Sequence, residues 1–188
     1  MIRRQAAEGK VVPDLDILAR QILAIGFRCR QCGTCCRGKD HLVLVMPDEV
    51  RALLATGGGT WVESVEPYPD FLEGRNGTRY TLGWCLRRDS GSCRFLSGDR
   101  CRVYGSRPRI CRTYPFLLTE GRLEVSPCPG LGDPMAMEEA QALASALRER
   151  AAAEEAEEAQ VARVLSVCEI PAGCRCVVDT DGIRVLDG

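Results

Sequence analysis

Apolar side chains recur at helical spacing early in the chain. Leu15, Leu18, Ile22 and Ile25 follow Pro13 and Asp14 and precede Gly26. Steps of three and four residues put them on one face, so a short helix is predicted over 13–27, stopped by Gly26. His41 to Met46 is a compact run rich in Val and Leu and reads as a strand. Pro47, Asp48 and Glu49 then open a helix through Ala55, ended by Gly57-Gly58-Gly59. Glycines, prolines and Asn76-Gly77 make 57–77 a predicted loop, and Tyr80 to Leu86 a strand. Residues 87–114 carry Arg, Gly and Cys with little periodicity. Their fold is expected to depend on a cross-link or a metal rather than on a core. Phe116–Thr119 and Leu123–Val125 flank Glu120-Gly121, a hairpin signal. Pro134 starts a long Ala/Glu/Leu-rich helix that reaches about Leu165, with 151–159 as a solvated polar face. Cys174–Val178 and Ile183–Leu186 flank Asp181-Gly182 and predict a terminal hairpin. No internal repeat is present.

Composition narrows the class. The chain has 188 residues, of which 45% are hydrophobic, 27% charged and only 5% aromatic. This suits one soluble domain with appendages and a largely aliphatic core. The expected division is a lead-in over 1–28, a cysteine-cluster domain over 29–131, and an extension over 132–188 made of the long helix and the hairpin. The fold class expected is α+β, small and irregular, organised by metal. A formal net charge of −1 argues against a nucleic-acid binder, so the expected partner is a protein or a redox enzyme complex. No apolar run approaches the roughly 18 residues of a membrane span, and the first residues lack the apolar stretch of a secretory signal. The expected location is the cytoplasm.

Twelve cysteines stand against one histidine, His41. In a reducing compartment so many thiols favour metal binding over a disulfide framework. Cys29, Cys32, Cys35 and Cys36 lie within eight residues, and Gly33 permits positive φ between them. C-x2-C-x2-C lets one loop wrap three thiolates around one centre. The same spacing opens bacterial ferredoxin patterns, where a distant Cys-Pro adds a ligand, and Cys128-Pro129 is such a pair. Cys36, adjacent to Cys35, suits a second site or a reserve thiol, because neighbouring side chains diverge. Cys93, Cys101 and Cys111 are spaced for separate loops converging on a centre. Arg87, Arg88, Arg94, Arg100, Arg102, Arg107, Arg109 and Arg112 crowd the same stretch, where they would offset thiolate charge.

His41 alone reads as a surface or capping residue, which leaves a thiolate coordination sphere. Zinc and iron–sulfur clusters both accept one. The ferredoxin-like run favours iron–sulfur, as [4Fe-4S], with zinc the alternative. Cys85, Cys168, Cys174 and Cys176 fall outside the motifs. Cys174 and Cys176 would share one strand face, and with Cys168 and Cys85 could form another site, although plain thiols are the favoured reading.

With these residues the chain resembles the YkgJ-type cysteine-cluster family of zinc- or iron-chelating domains. The resemblance rests on Cys29, Cys32, Cys35 and Cys36, then Cys93, Phe95, Leu96, Cys101, Val103 and Tyr104, then Arg107, Pro108, Cys111, Arg112, Tyr114, Pro115 and Phe116. It covers about 27–131 and implies that the motif cysteines form the metal site, without implying a reaction. There is no GxGxxG, phosphate-binding loop, Gly-x-Ser-x-Gly or Cys/His pairing. The chain is therefore expected to be no enzyme on its own. The expectation is an iron–sulfur protein holding its cofactor with Cys29, Cys32, Cys35, Cys36, Cys93, Cys101, Cys111 and Cys128, for electron transfer or as an accessory subunit. A zinc-stabilised interaction module and a cluster-dependent protein-modifying enzyme are the alternatives.

Overall fold

The computed structural model describes residues 12–38, 42–57 and 59–187. His41 and the start of its predicted strand lie outside the described residues. Helix α1, Leu15–Ile25, starts where the Asp14 carboxylate accepts from the backbone N–H of Asp16 and Ile17, and ends at Gly26 with φ 71°. Strand β1 is Leu44–Val45, and helix α2 is Pro47–Ala55. The Glu49 side chain accepts from the Met46 N–H at 3.0 Å, closing the first turn of α2.

The predicted loop over 57–77 holds more structure than its composition implies. A single-turn helix α3, Trp61–Ser64, forms because Glu63 accepts from both the backbone N–H and the hydroxyl of Thr60, each at 2.8 Å. Strands β2, Val65–Pro67, and β3, Leu72–Glu73, follow. The strand predicted over 80–86 is two strands, β4, Arg79–Leu82, and β5, Trp84–Leu86. Gly83, at φ 80°, breaks the run and sends its halves to different sheets.

The cysteine-rich stretch forms two tight hairpins. Strand β6, Arg88–Asp89, pairs with β7, Ser92–Cys93, and β8, Leu96–Ser97, pairs with β9, Arg100–Cys101. Helix α4 spans Arg109–Thr113. Strands β10, Phe116–Thr119, and β11, Arg122–Val125, form the predicted hairpin, with Glu120 and Gly121 both at positive φ in its turn. Helix α5 runs Met137–Val167, and β12, Arg175–Asp179, pairs with β13, Gly182–Asp187. The fold is α+β.

The chain divides into two compact units. One comprises the chain up to Arg30 together with Thr113–Ala151, and the other Gln31–Arg112 with the chain from Ala152 onward. In the first, α1 buries Leu18, Ala19 and Ile22 against Phe116 and against Ala140, Ala144 and Leu147 of α5. The alanines sit one turn apart and allow close backbone approach. Phe27 meets Phe116 edge-on at 5.7 Å.

The second unit holds a three-stranded sheet in the order β1-β5-β2 and a four-stranded sheet in the order β13-β12-β4-β3. Strand β12 runs parallel to β4, with Val177 opposite Thr81 and Val178 opposite Leu82. Alternation sends Val177 into a core with Val50, Leu53, Trp84, Leu86, Cys93, Phe95 and Val103. Val178 instead packs on Val161 and Val164 from the second half of α5. The buried Asp179 carboxylate accepts from the Trp84 indole N–H at 2.7 Å, which ties the two sheets together. Residues 87–114 therefore do reach a core, through Cys93, Phe95 and Val103, while most of their length stays in short hairpins and turns.

Candidate metal centre

Within the second unit the first cysteine loop is built around one glycine. Gly33 lies in the left-handed region at φ 69° and precedes a 3-10 turn over Thr34–Cys36. A Cβ there would come within 2.8 Å of the Arg37 guanidinium and 2.9 Å of both the Asp99 carbonyl oxygen and the Leu96 side chain. Only glycine fits, for backbone and for space.

Arg37 clamps this loop to the hairpins. It donates to the Cys32 carbonyl at 3.0 Å and to the Gly98 carbonyl at 2.8 Å, and pairs with Asp99 at 2.6 Å. Its backbone bridges to Ser92, beside Cys93. Cys36 and Cys101 pack against the core that contains Cys93. Cys111 follows on α4, whose start is held by Glu49: its carboxylate accepts from the Arg109 N–H at 2.7 Å. The Arg109 guanidinium pairs with Asp48 at 2.7 Å and Glu49 at 3.3 Å.

The thiols act on one another. The Cys35 and Cys36 sulfurs lie 4.0 Å apart, within reach of a hydrogen bond between the thiols. Accepting from Cys36, with the Arg107 charge as a lesser cause, holds the Cys35 thiol below its ordinary range. Donating to Cys35, together with burial and the charges of Cys35, Cys93 and Cys101, pushes Cys36 far up. Burial raises Cys93, with the charges of Cys101 and Cys35 adding to it and Arg88 opposing. Burial and then the charges of Cys93, Cys35 and Cys101 raise Cys111, and Arg107 opposes. Cys35, Cys36, Cys93, Cys101 and Cys111 thus share one electrostatic neighbourhood. Cys32 stands beside it, its thiol held low chiefly by the Thr34 hydroxyl at 3.3 Å.

Cys29 and Cys128 belong to the first unit. Phe27 bridges Leu131 in antiparallel sense, and the Arg28 N–H donates to the Gly130 carbonyl at 3.0 Å. This sets the backbone of Cys29 beside the turn that carries Cys128. A Cβ on Gly130 would be driven into the Arg28 carbonyl oxygen, so the two segments touch through that glycine. Arg30 grips Asp133 through two bonds, at 3.1 and 2.9 Å, and holds its carboxyl below the usual carboxylate range.

Among the described residues no three Cys, Asp or Glu side chains stand at metal-ligating separations. The thiols are neighbours without forming a closed coordination shell. Their chemistry still suits a soft or borderline metal, since sulfur donors predominate and arginine charges face them. On this donor set, zinc and iron both fit.

The remaining cysteines go elsewhere. Cys85 is buried in β5, where its thiol donates to the Glu66 and Pro67 carbonyls and burial pushes it up to about 11. Cys174 precedes β12 rather than lying on it, and donates to the Ala172 carbonyl. Cys176 is fully buried in β12, and Cys168 is exposed beyond the end of α5. These four form no metal group among the described residues. The Arg37 clamp escaped the sequence reading, because nothing in its spacing distinguishes it from the other arginines.

No helix among the described residues is long and apolar enough to cross a membrane. Neither curated proteins nor solved structures yielded a match. A family model, CxxCxxCC, described as a putative zinc- or iron-chelating domain, matches residues 28–129, more than half of the chain. The match begins one residue before Cys29 and ends one residue after Cys128, so it encloses both cysteine groups. The chain belongs to this family of zinc- or iron-chelating domains.

Proposed function

We propose that the chain is an iron–sulfur protein whose donors are Cys29, Cys32, Cys35, Cys36, Cys93, Cys101, Cys111 and Cys128. The observation that carries this reading is that Cys36, Cys93 and Cys101 gather at one core, with the Cys35 sulfur 4.0 Å from that of Cys36 and the first cysteine loop clamped to the hairpins by Arg37. An iron–sulfur centre, as [4Fe-4S], would supply one-electron chemistry at this place. The protein part holds the thiols on short, cross-braced elements and balances their charge. The role is electron transfer, or support of a larger enzyme assembly, in the cytoplasm with a protein partner.

A second reading is a zinc-stabilised interaction module. It is favoured by the shortness of the hairpins: β6–β7 and β8–β9 have two residues per strand and need a staple to persist. Iron, acid-labile sulfide and zinc per chain after anaerobic purification, with a visible spectrum, separate the two. About four or eight iron with matching sulfide and a broad band near 400 nm are expected for iron–sulfur. One or two zinc without sulfide would replace it with the zinc module.

A further inference from the structure

Two arginines tie the first cysteine loop to the hairpins, and they hold it at opposite ends. Arg37 binds the Cys32 and Gly98 carbonyls. Arg88 holds the far end: one terminal nitrogen of its guanidinium donates to the Gly38 carbonyl and to the Gly91 carbonyl, each at 2.6 Å. Such a nitrogen carries two N–H groups, one for each acceptor. Arg87, Arg102 and Arg107 each donate to a single carbonyl, of Val62, Arg94 and Tyr104, and none of these lies in the cysteine loop.

The place of this tie matters because of what lies two residues away on each strand. Gly91 closes the β6–β7 turn, where Ser90 and Gly91 both have positive φ. From there the chain passes through Ser92 to Cys93. Counting back from Gly38, it passes through Arg37 to Cys36. Arg37 and Ser92 form an isolated antiparallel bridge. In that sense, one step from the bridge sets Gly38 toward Gly91, and one step the other way sets Cys36 toward Cys93. Cys36 accordingly packs on the core that contains Cys93. Arg88 itself stands opposite Cys93 on β6. The bridge thus has the Arg88 tie on one side and two thiols on the other. A lone bridge has no ladder beyond it to fix its register, and a slip of one residue would turn one thiol away from the other.

We propose that Arg88 is a positioning residue of the metal centre. By holding Gly38 against Gly91 it keeps Cys36 in register with Cys93, and these two thiolates serve the same centre. Arg88 acts through the backbone. The inference rests on the proposed function of the cysteines as donors. It adds which two of them share a centre, makes Cys36 a donor rather than a reserve thiol, and names what sets their spacing.

The test is a double-mutant cycle on the full chain, stripped of metal under reductant, with Co²⁺ and Zn²⁺ as probes. Affinity is read by chelator competition, and the cobalt–thiolate charge-transfer band reports the donor set. Arg88→Met keeps the aliphatic stem and removes the donors. It is expected to weaken both metals about tenfold, the fold-change of one charge-assisted hydrogen bond. In a Cys36→Ser chain, whose cobalt band should be weaker than that of the wild type, Arg88→Met is expected to change affinity less than about twofold, since no thiolate is left to position. Arg102→Met, which loses a carbonyl bond inside the hairpins, should have the same effect with or without Cys36. Unchanged affinity in Arg88→Met overturns the proposal. So does an equal loss in both backgrounds, because Arg88 would then only support the fold. A Cys36→Ser chain with the affinity and band of the wild type overturns it as well, and leaves the proposed function standing. If Arg88→Met does not fold, the cycle is run with Arg88→Lys, which keeps the charge on a shorter side chain: a loss confined to the Cys36 background supports the proposal, and an equal loss in both, or none in either, overturns it. A wild-type chain that binds neither metal overturns this inference, whereas the proposed function falls only if the chain as purified also carries no iron and sulfide.

Discussion

Gly33 and Arg37 do opposite jobs in the same loop. Gly33 leaves out a side chain so that Leu96, Asp99 and Arg37 can close over the first cysteines, and Arg37 fills the gap with a donor network. Gly33→Ala would require a left-handed backbone with a Cβ and would also displace three neighbours. Its expected cost is about 1–2 kcal/mol of stability, with a fall in bound metal per chain. Urea unfolding and metal analysis of the variant check both. A variant that loads metal like the wild type would show that the close packing at Gly33 does not matter to the site.

At the level of elements, the second half of α5 carries a carboxylate at odds with its surroundings. Glu157 is half-buried, and burial, followed by the charges of Glu49, Asp48, Asp179 and Glu154, pushes its carboxyl up to about 7. The first two face it from α2 and Asp179 from β12, while Asp48 and Glu49 are shared with Arg109. The folded form therefore holds a proton that the unfolded chain gives up near 4.5. Glu157 favours folding below that value, and its contribution is lost as pH rises through about 7. Glu157→Gln should remove this loss, so the variant gains stability over the wild type at pH 8 and little at pH 4. Urea midpoints at the two pH values measure the difference, and equal differences at both would refute the assignment.

For the whole molecule, apolar cores and metal ligands share the work unequally. The first unit has Leu18, Ile22 and Phe116 packed on α5 and stands on ordinary burial. The cysteine hairpins in the second unit contribute Cys93, Phe95 and Val103 to a core, but their strands are too short to hold on pairing alone. Removing metal with a chelator under reductant should lower the thermal midpoint and expose 87–114 to protease, while α1 and the first half of α5 stay resistant. Limited proteolysis with mapping of the cuts checks this. Uniform cleavage would mean that metal holds the entire chain together.

Much of this was readable along the chain because it is local. The periodicity of Leu15 to Ile25 with Asp14 ahead of it marks α1, Pro47 and Glu49 mark the start of α2, and Glu120-Gly121 and Asp181-Gly182 mark their turns. The cysteine spacings likewise identify the chemistry, since thiol donors and tight turns are properties of neighbouring residues. What could not be read depends on partners far away in sequence. Gly83 divides one apolar run between two sheets, β12 lies parallel to β4 across some ninety residues, and Trp84 finds its acceptor in Asp179. Arg37 looks like any other arginine until folding brings Asp99 to it. Residue type and spacing thus established which donors exist and which segments curl. Their grouping was settled by long-range pairing and burial, because a charge or a thiol acquires its role from what lies within a few ångströms of it.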